Sequence, residues 1–276
     1  MGKSTGHNET LEVLEQGIRD LTSSERWTAW LESAARFHHY SFGNQMLIAL
    51  QRPEASRVAG FKTWQTMNRQ VRKGEHGIRI LAPVVCNRRD NDGEKTGDTF
   101  LRFRSVAVFD VAQTDGADLP EIAFQLAGEG PKGAWSALES FARSIDYTVS
   151  VEPTGEANGW CRHSDKVIAV KDTNDEAMQV KTLAHELGHA LMHEAGVTVA
   201  DRQFKELEAE SVAFVVCRAL GLDSGDYSFG YVAGWARDGD NAIKALKACA
   251  GRIHDAAGRI LSWLEKTTDP SELVAA

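Results

Sequence analysis

Thiol chemistry is scarce in this sequence. Its 276 residues include four cysteines, Cys86, Cys161, Cys217 and Cys249, and no C-x-x-C pair. That argues against a thiolate zinc site and against a disulfide framework. It fits reduced, mostly buried cysteines in a cytoplasmic protein. No apolar run reaches membrane-spanning length, and "MGKSTGHNETLEVLEQ" lacks the apolar core of a secretory signal. Internal repeats and low-complexity blocks are also missing. With 42% apolar and 25% charged residues, the chain has the make-up of a globular protein with a real core, as one large domain or two ordinary ones.

Positive charge is in short supply overall, at a net −8, which taken alone disfavours nucleic acid as a partner. Its distribution reverses that reading. Residues 51–104 carry twelve Lys or Arg against six acids, a local +6, leaving −14 on the remainder. Such asymmetry describes an electrostatic footprint better than the total does.

Hydrophobic periodicity predicts an α+β protein, with N-terminal helices on a small β-sheet followed by a second domain with a small sheet and long helices. A helix is expected over 8–21. A second follows to about His38, with Thr22 as N-cap and Glu25 reaching back in a capping box. Ser41 is placed to cap a third helix, which stops at Pro53. "GFKTWQTMNRQ" reads as one short helix. "IRILAPVV" and "FLRFRSVAVFD" read as strands of a hairpin whose polar tip is "NDGEKTGD". The expected front domain covers 8–115. An acidic, Gly- and Pro-rich linker covers 116–132, and the second domain 133–267. There a helix over 134–145 precedes strands near 147–151, 158–162 and 167–170. Helices over about 175–194, 203–220 and 241–265 follow, with a shorter piece between the last two.

"TLAHELGHALMHEAG" (182–196) holds an H-E-x-x-H pattern. His185 and His189, four apart, share one helix face and can grip one zinc ion. Glu186 is rotated about 100° from His185, beside the ligands, where it can serve as general base. His193 is excluded as a third ligand, because eight residues span about 12 Å of helix axis against zinc–nitrogen bonds of about 2 Å. In "FKELEAESVAFVV", Glu208 falls on the apolar stripe of Phe204, Leu207, Val212 and Val215. A carboxylate there needs a partner, which makes Glu208 the expected third ligand, with Glu206 and Glu210 left to solvation. Tyr227 and Tyr231 are both available to steady an oxyanion, and the sequence does not choose between them.

In the basic region, Phe61 and Trp64 lie among Lys62, Arg69, Arg72, Lys73, His76 and Arg79. Cations tracking phosphates, with aromatics on which bases stack, are what binding to single-stranded nucleic acid requires. The expected DNA contacts are Lys62, Trp64, Arg69, Arg72, Lys73 and Arg79. The glycines of "RKGEHG" can offer backbone N–H groups to a phosphate. The competing reading makes Phe61 and Trp64 the core face of a helix.

The second half, through "LAHELGHALMH", "KELEAESVAFVVCRALGL" and the preceding "KVIAVKD", resembles zincin-like metallopeptidases of the ImmA/IrrE type. That resemblance implies zinc on His185, His189 and a glutamate of the next helix, with Glu186 as catalytic base. The front half, through "HHYSFGNQMLIALQRPEASRVAGFKTWQTMNRQVRKGEHGIRILAPV" and "VAVFDVAQTDG", resembles the N-terminal domain of ArdC-type antirestriction proteins. It implies single-stranded DNA as partner and protection of plasmid or phage DNA from restriction; a membrane is not expected as a partner, since no apolar run is long enough to span one. The alternative is a zinc endopeptidase that cuts a DNA-associated protein. Asn44 and Gln113 lie inside the family motif, where capping or buried hydrogen bonding explains them equally well.

Overall fold

The computed structural model describes residues 2–89, 95–119, 130–193, 202–222, 229 and 239–268. It divides into two compact units, each built from two stretches of chain: Met1–Asp20 with Gly43–Leu119, and Leu21–Phe42 with Pro120–Ala276.

The first unit opens with α1 (Gly2–Asp20) and takes most of α3 (Phe42–Gln51). Strand β1 (Val58–Gly60), short helix α4 (Phe61–Thr66) and β2 (Arg69–Val71) come next. The hairpin strands β3 (Ile78–Arg89) and β4 (Lys95–Asp110) form a sheet of order β1-β4-β3. β5 (Thr114–Gly116) pairs separately with β2. Burial explains why the elements hold. Ile18, Met46, Leu47, Ile48, Trp64, Ile78, Ile80 and Val108 are withdrawn from water, each buried aliphatic side chain contributing about 1.5–3 kcal/mol. The two polar residues of the "YSFGN" and "FDVAQT" segments are structural. Asn44 exchanges two 2.9 Å hydrogen bonds with the backbone of Leu81. The Gln113 amide donates to Glu75 and to the His76 carbonyl, and its oxygen accepts from the Asp110 N–H.

The second unit claims α2 (Ser24–Arg36), which sequence reading places in the front domain. Its buried stripe of Trp27, Trp30 and Leu31 needs an apolar surface, and α7 (Arg202–Ala219) supplies one. Trp27 Nε1 donates to Ser211 Oγ on α7 at 3.0 Å. The cap of α2 also differs from expectation. Ser23 is extended and accepts from the Arg26 N–H at 3.2 Å, so Thr22 lies one residue too early to be the N-cap.

The rest of this unit follows the expected order: α5 (Gly130–Ser144), β6 (Thr148–Glu152), β7 (Gly159–Arg162), β8 (Val167–Lys171), α6 (Glu176–Met192), α7 and α8 (Gly239–Thr268). Its sheet has order β6-β8-β7, with β6 parallel and β7 antiparallel to β8. β8 buries Ile168, Ala169 and Val170 completely, as a central strand must. Of the expected linker over 116–132, Gly116 ends β5 and 130–132 belong to α5, while 120–129 lie outside the described residues, as do the helix piece between α7 and α8, Tyr227 and Tyr231. Among the described residues no helix is long and apolar enough to cross a membrane.

Candidate metal centre and candidate DNA surface

α6 starts cleanly because Asp175 caps it, accepting from the Met178 N–H at 2.8 Å. One face of α6 is committed to the core by Val180, Leu183, Ala184 and Leu187. That leaves His185 and His189 on the side facing a cleft of about 630 Å³ lined by β7, α6 and α7. Two glycines allow the close approach. A Cβ on Gly188 would stand 3.0 Å from the Ala209 backbone, so its absence lets α7 lie against α6. A Cβ on Gly159 would meet the Thr182 methyl at 2.6 Å, the Ala169 carbonyl oxygen at 2.8 Å and Glu186 Oε1 at 3.2 Å. Edge strand β7 thus lies directly against the carboxyl of Glu186.

The Nε2 atoms of His185 and His189 are 3.1 Å apart. Glu206 Oε2 lies 3.4 Å from the first and 3.8 Å from the second, and the three donors form a compact cluster. An ion with tetrahedral bonds of about 2.0–2.1 Å has ligand–ligand edges of about 3.3–3.4 Å, so the observed separations match the edges of such a site.

Each imidazole is steered from behind. His185 Nδ1 sits 3.1 Å from Glu210 Oε2, and Glu210 is paired with Lys181 at 3.1 Å. His189 Nδ1 meets His193 Nδ1 at 2.8 Å, and His193 Nε2 meets Glu208 Oε2 at 2.9 Å. Arg252 closes that chain on Glu208 Oε1. If each Nδ1 of the pair carries its proton, His185 donates to Glu210 and His189 donates to His193, which in turn donates to Glu208. Both Nε2 lone pairs are then left converging on one point. Two facing lone pairs repel unless a proton or a cation lies between them, so the residues fit a divalent ion. Outer partners of this kind fix the tautomer and orientation of metal-binding histidines.

The geometry separates Glu208, the expected third ligand, from the two imidazoles. Glu208 is fully buried, as its place on the apolar stripe implies, but its partners are His193 and Arg252. Glu206, half exposed at the rim of the cleft, is the carboxylate that faces both imidazoles. Burial on the stripe reflects pairing with a fixed cation, whereas a carboxylate that faces the cleft lies on another side of α7. The available signal was the Glu206/Glu210 spacing of four, which puts both on one face of α7. His193, set aside as a ligand in the sequence, is buried at the C-cap of α6, where it links His189 to Glu208.

The same groups set the protonation tendencies of the cluster. Burial alone would lower the His185 imidazole, but Glu206, Glu210 and the charge of Glu186 outweigh it and hold it up at about 9. The two imidazoles hold the Glu206 carboxyl well below the usual carboxylate range. Burial pushes the Glu186 carboxyl up, against the pull of His185 and His189, the direction a proton-transferring carboxylate needs. On the cleft wall, burial and the Glu186 charge push the Cys161 thiol up to about 12, which makes it inert as a nucleophile. Tyr147 and His163 meet there at 2.9 Å, and His163 lines the cleft.

The nominated DNA contacts separate into two groups. Trp64 is fully buried, and its Nε1 donates to the Phe109 carbonyl at 2.9 Å, so no base can stack on it. Arg69 clamps β5 through the Thr114 hydroxyl and carbonyl and the Ala117 carbonyl. Arg72 is held by Glu75 at 2.8 Å and Asp115 at 3.3 Å. Lys62, Lys73 and Arg79 are exposed. Trp64 is thus part of the core, and Arg69 and Arg72 are already engaged within the first unit.

A sequence model of the N-terminal domain of anti-restriction factor ArdC matches residues 7–109. A model of the IrrE N-terminal-like domain matches 142–217. An uncharacterized protein of Bacillus anthracis is 23% identical over 304 residues, covering 94% of this chain and 51% of its own length. The chain thus spans about half of that curated relative. Two crystal structures of the antirestriction ArdC protein from the R388 plasmid, one metal-free and one Mn(II)-bound, share the fold at a TM-score of 0.59 and 20% identity. They cover 92% and 93% of this chain and 98% of theirs.

Proposed function

Because the chain joins an ArdC-type N-terminal domain to an IrrE-type zincin-like domain, we propose that it binds single-stranded DNA with its first unit, holds a divalent ion in its second, and protects mobile-element DNA from restriction. One observation carries this reading: the domain pairing of ArdC is kept in a single chain whose second unit retains a complete three-donor set. Two imidazoles and one carboxylate at tetrahedral edge lengths favour zinc over the harder, oxygen-preferring cations. The R388 ArdC structure with Mn(II) supports a divalent ion more generally.

In this reading His185, His189 and Glu206 hold the ion. Glu210 and the His193–Glu208–Arg252 chain keep the two imidazoles aimed. A bound divalent ion supplies Lewis acidity at the mouth of the cleft. Glu186, raised by burial and packed beside β7, takes or returns a proton at its carboxylate. β7 is the edge of its sheet, so its outer backbone groups are available to an extended segment.

A comparison of Glu186→Ala with the parent tests the whole. Both are scored for metal content by elemental analysis, for DNA binding, and for protection of incoming DNA in cells. Protection by the variant equal to the parent's means that the zinc centre is conformational and DNA holding is the function. Loss of protection with metal and DNA binding intact implicates hydrolysis. Failure of the parent to bind single-stranded DNA, or binding that does not weaken as salt rises, sinks the DNA reading.

A further inference from the structure

β3 and β4 continue well beyond their junction with β1, which pairs only with Val108–Asp110 of β4. The distal part is therefore a two-stranded ribbon among the described residues. Its register sets Ala82 opposite Arg104, Val84 opposite Arg102 and Cys86 opposite Phe100. Cross-strand partners share a face, so Phe100, Arg102 and Arg104 stand in a row on one side, about 6.6 Å apart along the strand. Phe100 is 39% exposed, and both arginines are exposed. Neither arginine has a hydrogen-bond or ion-pair partner among the described residues. The facing side chains of Ala82, Val84 and Cys86 are small, so the row stands clear of its neighbours. Asp98, at the distal end of the same face, is already engaged.

Arginines without a partner among the described residues stand out on a strand face in a chain of net charge −8, and these two lie within its basic stretch. Of the arginines expected at the DNA surface, Arg69 and Arg72 are spent on carbonyls and carboxylates, while Arg79, opposite Ala107, is exposed on the other face of the sheet. An exposed ring beside two free guanidinium groups matches a strand of nucleic acid that offers base faces next to phosphates.

We propose that single-stranded DNA lies along the Phe100–Arg102–Arg104 face of the β3–β4 ribbon, with phosphates on the two arginines and an unpaired base stacked on Phe100. The proposal rests on the single-stranded-DNA reading above and relocates its contacts from α4 and β2 to the hairpin. A single strand is specified because a paired base has no face free for Phe100.

The test is fluorescence anisotropy with a labelled thymidine 20-mer and its duplex, at two salt concentrations, on the full chain. Arg102→Glu/Arg104→Glu is expected to weaken single-strand binding at least 10-fold and to reduce the salt slope by about 1.4, the value for two phosphate contacts on a single strand. Phe100→Ala is expected to weaken it about 5- to 100-fold and to narrow the preference for single strand over duplex. All three side chains are exposed, so thermal melting should be unchanged, which separates lost contacts from lost folding. If the parent binds and these variants bind equally well while Lys62→Glu/Lys73→Glu loses affinity, the ribbon assignment is overturned. Equal parental affinity for duplex overturns the single-strand placement. No binding by the parent overturns the wider DNA reading with it.

Discussion

Glu206 and Glu208 are two residues apart on α7 and do opposite things. One faces the imidazoles across the cleft, and the other is sealed against Arg252 and His193. Glu206→Gln should reduce zinc affinity by at least about 100-fold, more than the 10–100-fold typical of an outer partner, and destabilise the metal-stripped protein less than Glu208→Gln, because solvent screens the half-exposed Glu206. Glu208→Gln should destabilise the metal-stripped protein by about 1–3 kcal/mol, because Arg252 and His193 lose the charge they hold, and cost only the 10–100-fold in affinity. Calorimetric zinc titration and urea melts separate the two. Equal affinities for both variants would mean that the cleft-facing carboxylate is not a ligand.

Elements carry constraints that no one residue shows. β7 can lie against α6 only because Gly159 lacks a side chain. Gly159→Val should cost about 1–3 kcal/mol from overpacking and lower the urea midpoint, since one obstructing atom is the Ala169 backbone oxygen, which cannot turn aside. On α8, burial lowers the His254 imidazole from its ordinary value despite the nearby Asp255. His254 binds a proton less readily folded than unfolded, so its contribution to stability is complete above about pH 6.5 and is lost as pH falls below it. The drop in urea midpoint between pH 7.5 and 5.5 should be smaller in His254→Gln than in the parent. A drop of unchanged size would mean that His254 does not carry the linkage.

At the scale of the whole molecule, the chain crosses between units at 20–21, 42–43 and 119–120. A fragment beginning at Pro120 therefore omits α2 and strips Trp27 from Ser211. Such a fragment should lack the near-ultraviolet circular dichroism and cooperative melting of the full chain. Trp27→Ala in the full chain should cost about 3–5 kcal/mol. A fragment of residues 120–276 that melts cooperatively at the parental temperature would show that α2 is dispensable to that unit.

The sequence alone determined the α+β class, the order of the main helices and longer strands, and the side-by-side placement of His185, Glu186 and His189. Those are local properties: period 3.6 or 2 marks the buried face, and a spacing of four sets two imidazoles side by side on any helix. The β3–β4 hairpin was legible for the same reason. The three-residue strands β1, β2 and β5 were not, and the sequence reads β2 as the end of a helix. Tertiary structure decided what depends on partners distant in the chain. It gave Glu208 to Arg252, 44 residues away, and brought Glu206 to the histidines. It moved α2 to the second unit through a contact spanning 184 residues. It buried Trp64 and occupied Arg69 and Arg72, because the composition of a basic stretch does not say which cations the fold itself consumes. Which of several similar side chains faces a cleft depends on how elements pack, and packing is set by contacts that one element's own residues do not contain.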